Sequence, residues 1–140
     1  MASDFNMDDI QRSLPWFYSL ILLVLLISHP CCAYDATASY YGPPYLPSSC
    51  YGENSAELPG DMLFAAAGAG IWSDGAACGS IVHVKSIDDD EIFKVKIVDY
   101  IGTASSPVSA PNTAVALPRP TFKNITGSSA LWAKIQILRK

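Results

Sequence analysis

The sequence predicts an all-β protein, either a sandwich or a small barrel. Short runs of alternating or β-branched apolar residues recur along the 140-residue chain, and Gly and Pro separate them. Little of the chain shows helical periodicity. Half of the residues are hydrophobic, so one domain of this length can bury a core. Periodicity alone leaves sandwich and barrel both open.

Five segments carry the strand pattern. The clearest is the last, where Ala133, Ile135 and Ile137 alternate with polar or exposed types in a period of two. The acidic turn DDDE is expected to join two of the strands as a hairpin. The predicted strands cover residues 36–42, 79–87, 91–101, 113–118 and 130–140.

Two other segments are expected to be irregular or helical. Residues 43–60 are rich in Pro, Ser and Gly, which predicts a long ordered loop that Cys50 pins. The segment DMLFAAAGAGIW is expected to open as a helix behind Asp61, with Gly68 and Gly70 limiting it to a turn or two.

The N-terminal residues 1–33 are predicted to be a secretory signal peptide. Residues 16–27 (WFYSLILLVLLI) carry no charge, and Pro30 precedes small residues that end at Ala33, the expected cleavage site. The apolar run is shorter than the roughly 20 residues that span a bilayer. The leader holds three aspartates and one arginine, whereas signal peptides begin basic, so an uncleaved signal anchor stays open.

Charge and cysteine content narrow the function classes. Cleavage removes one basic and three acidic residues and changes the formal net charge from −4 to −2, which gives no electrostatic reason to bind nucleic acid or anionic lipid. The mature chain keeps Cys50 and Cys78, an even pair that predicts one disulfide in an oxidising compartment. Closing that loop should stabilise the fold by roughly 3–4 kcal/mol.

Three phrases in this order and spacing resemble one protein family. They are ATASYYGPPYLPSSCYG, AAAGAGIWSDGAACGSIVHVKS and VKIVDY. Together they resemble the EG45-like domain proteins of plants, also called plant natriuretic peptides, which are similar to the N-terminal domain of expansins. The resemblance implies a single six-stranded double-psi β-barrel over residues 34–140, secretion to the apoplast and a role in water and solute homeostasis without proven catalysis.

The predicted mature chain has four fewer cysteines than domains of this family commonly carry. Domains of this kind commonly carry six cysteines, and here Ser86 and Ile101 stand where two of them are expected. Two disulfides are therefore missing as whole pairs, which leaves the bridge between Cys50 and Cys78 and no stray thiol in the mature chain.

Asp99 ends a strand that is predicted to be buried, and it is the strongest candidate for a functional carboxylate. Glycoside hydrolysis usually needs two carboxylates, one to protonate the leaving oxygen and one to attack or to activate water. In expansins a second aspartate lies in a later segment, and the corresponding position here is Ala116, which cannot transfer a proton. We therefore expect Asp99 to hold backbone amides or to bind hydroxyls, and we expect no catalytic residue.

Aromatic side chains offer a second candidate feature. Tyr41 and Trp72 are the two that we select for a polysaccharide or ligand groove with Asp99, because the apolar faces of sugar rings stack on aromatic rings. The alternative is that most of the aromatic residues fill the barrel and cover the Pro-rich segment.

The remaining motifs carry little chemistry. The acidic turn lacks the ligand spacing and glycine of a calcium loop, and His83 has no second histidine in the mature chain, so we expect no metal and no cofactor. The sequence NIT makes Asn124 a candidate N-glycosylation site if the chain is secreted.

Taken together, these features predict a secreted, monomeric, non-enzymatic extracellular protein. Its expected role is signalling in water and solute homeostasis through a cell-surface receptor, centred on about residues 39–84. The alternative is a module that binds a cell-wall polysaccharide without cutting it. Neither hypothesis involves nucleic acid, or a membrane once the leader is removed.

Overall fold

Six β-strands close into a barrel in the computed structural model, which describes residues 33–102 and 113–138. Going round the barrel, the strands follow the order β1-β5-β2-β4-β3-β6. The prediction of an all-β, six-stranded barrel is confirmed. The strands are β1 (Ala33–Tyr41), β2 (Phe64–Ala67), β3 (Ile81–Ser86), β4 (Ile92–Tyr100), β5 (Thr113–Pro118) and β6 (Trp132–Leu138).

Two parallel and four antiparallel pairings tie distant parts of the chain together. β1 pairs in parallel with β5, and β2 in parallel with β4, so each of these pairs needs a long connection. β3 and β4 form the predicted antiparallel hairpin, and β6 closes the barrel between β1 and β3. Because a closed barrel has no free edge, every strand has two hydrogen-bonded neighbours.

The barrel interior is filled by alternate residues of the strands. In β6, Ile135 and Ile137 are buried, as the period-two pattern predicts, while Gln136 between them is partly exposed. A short helix plugs the barrel with two further side chains. The buried interior consists of Ala38, Ala65, Ala67, Ala77, Val84, Val95, Ile97, Val115, Leu117, Phe122, Ile125, Ile135 and Ile137.

The helix that plugs the barrel is α2 (Arg119–Thr126), an element that the strand pattern did not predict. Phe122 and Ile125 are three residues apart, lie on one face of the helix and are buried. Pro120 in the first turn and Gly127, which caps the C-terminus at φ 61°, are both typical helix boundary signals. Asn124 lies exposed on this helix, and its glycosylation stays a prediction.

The segment at residues 61–72 was predicted wrongly. Phe64–Ala67 forms β2 rather than the start of a helix, and only Ala69–Trp72 is helical (α1). All four residues of β2 are buried because the strand lies between β4 and β5 and is covered on both faces. A strand buried on both faces shows no alternation, which is why its pattern resembled a helix.

The Pro-rich loop (residues 42–63) covers the outside of the barrel and forms a second apolar cluster with it. The barrel contributes five buried residues, and the loop adds partly buried side chains that pack on them. The buried set is Tyr41, Phe64, Ala66, Val98 and Ala116; Tyr45, Tyr51, Leu58, Met62 and Ile101 pack against it. The chain therefore has two apolar clusters, one on each side of the same strands.

The signal peptide prediction falls almost entirely outside the described residues. Residues 1–32 are not described, and β1 begins at Ala33, three residues before the predicted start of the first strand. The described residues, 33–102 and 113–138, belong to one compact unit. Among the helices within the described ranges, none combines the length and apolar character needed to cross a bilayer.

Candidate functional site

Asp99 lies at the end of β4, where an irregularity turns its side chain towards the Pro-rich loop. Ala65 pairs with Ile97, but the next residue of β2, Ala66, pairs with Asp99, so Val98 is the extra residue of a bulge. The Asp99 Oδ1 atom accepts hydrogen bonds from the backbone N–H of Ser49 at 2.9 Å and from its neighbour Tyr100 at 2.8 Å. Asp99 is only 2% exposed, and its hydrogen bond with Ser49 anchors the loop to the strand.

The residues opposite Asp99 form a row across neighbouring strands. Ala66 pairs with Asp99 on one side and with Ala116 on the other, and Ala116 pairs in turn with Ser39. Directly paired residues share a face of the sheet, and two strand spacings separate Cα atoms by about 10 Å. A carboxylate at position 116 would therefore stand on the face of Asp99 at a distance suited to a two-carboxylate site. The residue there is alanine.

Tyr41 lies inside the second apolar cluster and offers no face to a ligand. It is fully buried, and its ring makes an edge contact with Tyr45 at 5.1 Å between centroids. Its hydroxyl has no hydrogen-bond partner among the described atoms, and neither has the buried Ser39 hydroxyl. Burial, with the nearby Asp99 charge and Tyr45 as smaller causes, raises the pKa of Tyr41 far above its ordinary value.

Trp72 is the selected aromatic residue that does reach the surface. It ends α1 and stacks on Tyr100, with ring centroids 5.2 Å apart and planes inclined at 29°. Both rings are partly exposed. The chain order of β4 places Tyr100 directly after Asp99, so the structure brings two of the predicted groove residues, Trp72 and Asp99, to the same end of β4.

Sequence reasoning missed a further exposed aromatic residue. Trp132 begins β6, is 46% exposed and pairs with Ser39, so it continues the row that contains Asp99 and Ala116. The alternation of β6 did place Trp132 on the outer face. What the sequence could not show is the register that aligns it with the row.

The predicted disulfide between Cys50 and Cys78 is present, with Cα atoms 5.4 Å apart. It fastens the Pro-rich loop to the segment before β3, and the Cys50 N–H also donates to the Val98 carbonyl at 3.2 Å. On the other side of the bridge, Gly79 has a φ of +76°, and a Cβ there would come within 2.9 Å of the Tyr51 hydroxyl. Glycine is therefore required at that turn.

A second anchor holds the far part of the Pro-rich loop. Lys96 on β4 donates to the backbone carbonyl and to the carboxylate of Glu57, both at 2.9 Å. Its ammonium also lies 4.7 Å from the centre of the Tyr51 ring. The hydrogen bond to the Glu57 side chain is the main cause that raises the pKa of Lys96.

The two positions where family cysteines were expected are filled without disulfides. Ser86 is buried at the end of β3, and its hydroxyl accepts a hydrogen bond from the N–H of Asp88 at 3.3 Å. Ile101 packs against the second apolar cluster, and its N–H donates to Ala67 at 3.0 Å. At these two positions, apolar packing and local hydrogen bonds stand where the family would have disulfides.

No group of three or more histidine, cysteine or acidic residues that could hold a metal occurs within residues 33–102 and 113–138. His83 lies in β3 opposite Lys94. In the acidic turn, Asp90 forms an ion pair with Lys85 at 2.7 Å, and this hydrogen bond lowers the pKa of Asp90. The ion pair thus joins the acidic turn to β3.

No family model matches the chain. A curated sequence from Citrus jambhiri, an EG45-like domain containing protein, is 38% identical over 64 residues, which cover 46% of this chain and 46% of that protein. Over those 64 residues the chain is similar to an EG45-like domain, in agreement with the resemblance predicted from the sequence. The match spans just under half the length of that relative.

Comparison with solved structures shows the fold. An apo expansin from Clavibacter michiganensis matches with a TM-score of 0.57 and 16% identity, over 78% of this chain and 51% of the expansin. A mutant of the C. michiganensis expansin in complex with cellohexaose matches with a TM-score of 0.58 over the same shares. At this identity the likeness shows the fold alone, and it agrees with the predicted double-psi barrel.

Proposed function

We propose that this EG45-like chain is a secreted module that binds a cell-wall polysaccharide without cutting it. The observation that carries the proposal is the stacked, partly exposed pair of Trp72 and Tyr100 at the end of β4, where Tyr100 follows Asp99 in the chain. Aromatic faces of this kind receive the apolar faces of sugar rings. The expansin with the same fold that is complexed with cellohexaose supports a glucan as the ligand class.

The row across the strands supports binding rather than hydrolysis. Asp99 is buried and accepts two backbone hydrogen bonds, and Ala116 occupies the position from which a second carboxylate would act. Hydrolysis needs a proton donor together with a base or nucleophile. A single buried carboxylate that accepts hydrogen bonds from the loop cannot fill both of these roles.

A pull-down on insoluble cellulose and xylan tests the proposal. We expect the wild-type chain to be retained and Trp72→Ala to lose most of its retention. Ile92→Ala is the control, because it removes an exposed apolar side chain at the hairpin end of β4, away from the stacked pair, and should bind normally. If the wild type is retained on neither material, the proposal is contradicted. Release of reducing sugar that disappears in Asp99→Asn would show a hydrolase instead.

Extracellular signalling in water and solute homeostasis is the second candidate function. The EG45-like resemblance implies it, and the Cys50–Cys78 bridge favours an extracellular location because disulfides persist in oxidising compartments. The bridge also frames the segment at residues 39–84 that we propose as the recognition surface. If a Cys50→Ser chain raises solute and water flux in plant cells as strongly as the intact chain, the disulfide-framed surface is wrong.

Two finer parts of the proposal concern location and processing. We propose cleavage after Ala33 and release into the apoplast, with no lasting membrane attachment. N-terminal sequencing of the secreted product, combined with a free-thiol count, checks the boundary and the disulfide in one measurement. A product that retains the leader would support the signal anchor.

A further inference from the structure

A small pocket lies between α2 and the segment that leads into β6, on a part of the barrel that the proposed glucan site does not use. Its volume is about 130 Å³, and both of its charged lining residues are basic. The lining consists of Tyr40, Arg119, Phe122, Lys123, Ser128, Ser129 and Ala130.

The Arg119 guanidinium is held in place by an aromatic ring. It lies 5.1 Å from the centre of the Tyr40 ring, and Tyr40 in turn packs on Phe122 with centroids 5.6 Å apart. An arginine that is fixed by stacking loses less freedom when it binds a ligand. Among the described residues, neither Arg119 nor Lys123 has an acidic partner, because both ion pairs found there use other lysines.

The position of Arg119 is not explained by helix stability. It opens the first turn of α2, where the macrodipole favours acidic residues and disfavours a cation, and that turn contains no acid. Lys123 follows four residues later on the same face, where like charges repel. Lys123 itself lies in the last turn, where a cation is favourable. Arg119 is therefore the residue that needs another reason for its placement.

The charge distribution along the sequence strengthens this observation. From Tyr100 to the C-terminus the chain contains five lysines and arginines and no aspartate or glutamate, although the whole chain has a formal net charge of −4. The acidic residues all lie at or before Asp99. Within the described parts of α2 and β6 the charged side chains are Arg119, Lys123 and Lys134, and all three are basic.

We propose that the pocket between Arg119, Lys123 and residues 128–130 binds an oxyanion, and that its natural source is the carboxylate of a uronic acid residue in an anionic polysaccharide. The planar guanidinium recognises a carboxylate through two parallel hydrogen bonds, and the lysine adds a second positive charge. Ser128 and Ser129 also line the pocket, and serine hydroxyls are hydrogen-bond donors.

The size of the pocket limits what enters it. A volume of 130 Å³ holds roughly four water molecules, which suits one carboxylate or phosphate group and excludes a whole oligosaccharide. A uronate chain would therefore lie across the surface with one charged group inserted. The choice of a uronic acid over free phosphate rests on the proposed polysaccharide function, whereas the oxyanion site itself does not.

Calorimetric titration of the full chain tests the inference with three probes. These are an oligomer of galacturonic acid, the same oligomer with its carboxylates methyl-esterified, and inorganic phosphate. We expect the acid oligomer to bind, the ester not to bind, and Arg119→Gln/Lys123→Gln to weaken binding by about tenfold or more, since two charge-assisted contacts are lost. Lys94→Gln removes one exposed charge from β4 outside the pocket and should bind like the wild type.

Each outcome has a separate meaning. Equal binding of acid oligomer by wild type and the double variant overturns the pocket, and so does binding of the ester with unchanged affinity. Binding of phosphate alone keeps the oxyanion site and overturns the uronate source. Retention on cellulose is measured in parallel and should not change in the double variant, so failure of the glucan proposal is distinguishable from failure of this one.

A variant that does not fold would leave the titration without meaning, so a second measurement uses the wild type alone. Addition of the acid oligomer to isotope-labelled protein should shift the amide resonances of residues 128–130 and of α2. Shifts confined to Trp72 and Tyr100 would place the anionic glycan at the aromatic pair and contradict the inference.

Discussion

The outer face of the barrel is covered by a loop on one side and exposed to solvent on the other. Around β2 and the end of β4, the outer face is covered by the Pro-rich loop, and Val98, Ala116 and Tyr41 beneath it are fully buried. On the β3–β4 hairpin the outer face has no such cover, and Ile81 and Ile92 are about half exposed. The same strand, β4, takes part in both regions.

The difference shows how one disulfide serves this domain. The bridge, the Asp99 carboxylate and Lys96 all fasten the loop-covered side. The hairpin side has no disulfide and relies on strand pairing, barrel closure and the buried Ser86. Changes on the loop-covered side should therefore affect stability more than comparable changes on the hairpin.

The largest expected effect is from Cys50→Ser/Cys78→Ser. Loss of a bridge that spans 28 positions should lower the free energy of unfolding by about 3–4 kcal/mol, because the unfolded chain regains its loop entropy. Chemical denaturation measures it. Reducing agent should shift the unfolding midpoint of the wild type similarly and leave the double variant unchanged. A wild type insensitive to reduction contradicts the prediction.

Next in size is Asp99→Ala, which should cost about 2–3 kcal/mol because two backbone amides lose a charged acceptor. Asp99→Asn keeps an acceptor oxygen at the same place and should cost about 1 kcal/mol. Denaturant unfolding of both variants checks this order. An alanine variant as stable as the wild type would show that Asp99 does not anchor the loop.

A smaller effect of opposite sign is expected from Tyr41→Phe. Removal of a buried hydroxyl without a protein partner should raise the free energy of unfolding by about 1 kcal/mol at neutral pH. Destabilisation by this change would mean that the hydroxyl is satisfied in solution. Tyr45→Phe, at a partly exposed ring, should have a smaller effect.

The same tyrosine gives a pH prediction. Because the folded pKa of Tyr41 is raised above its unfolded value of 10.0, its contribution to stability is complete below about pH 10 and is lost as the pH rises beyond that value. Wild-type stability should therefore fall in the alkaline range, and Tyr41→Phe should flatten the fall. Thermal unfolding between neutral and alkaline pH measures both curves, and parallel curves would contradict the assignment.

The smallest expected effect is from Ile92→Thr on the hairpin. An exposed substitution away from special features should change the free energy of unfolding by less than about 0.5 kcal/mol. Val98→Thr is the matched change on the loop-covered side of the same strand, and it should cost about 1–3 kcal/mol because it buries a hydroxyl. Equal costs in denaturant unfolding would remove the contrast between the two sides.

Local pattern predicted the elements that have one buried and one exposed face. The alternation in β6 and the β3–β4 hairpin follow from the period of two, which any half-buried strand must show. β2 was not predicted because both of its faces are buried, so its sequence does not alternate. Helix α2 carried Pro and Gly boundary signals, but its apolar face is only two residues long, too short to outweigh the strand-like sequence before it.

The sequence by itself determined the all-β class and the pairing of Cys50 with Cys78, because strand patterns and cysteine count can be read without the fold. The resemblance to expansins implied that Asp99 lacks a second carboxylate. Only the tertiary structure decided that Tyr41 is buried, that Asp99 is aligned with Ala116, Ser39 and Trp132, and that Arg119 stacks on Tyr40. Those facts depend on strand register across parallel pairs, which joins residues from opposite ends of the chain. No local pattern encodes such a register, since barrel closure and loop packing fix it together.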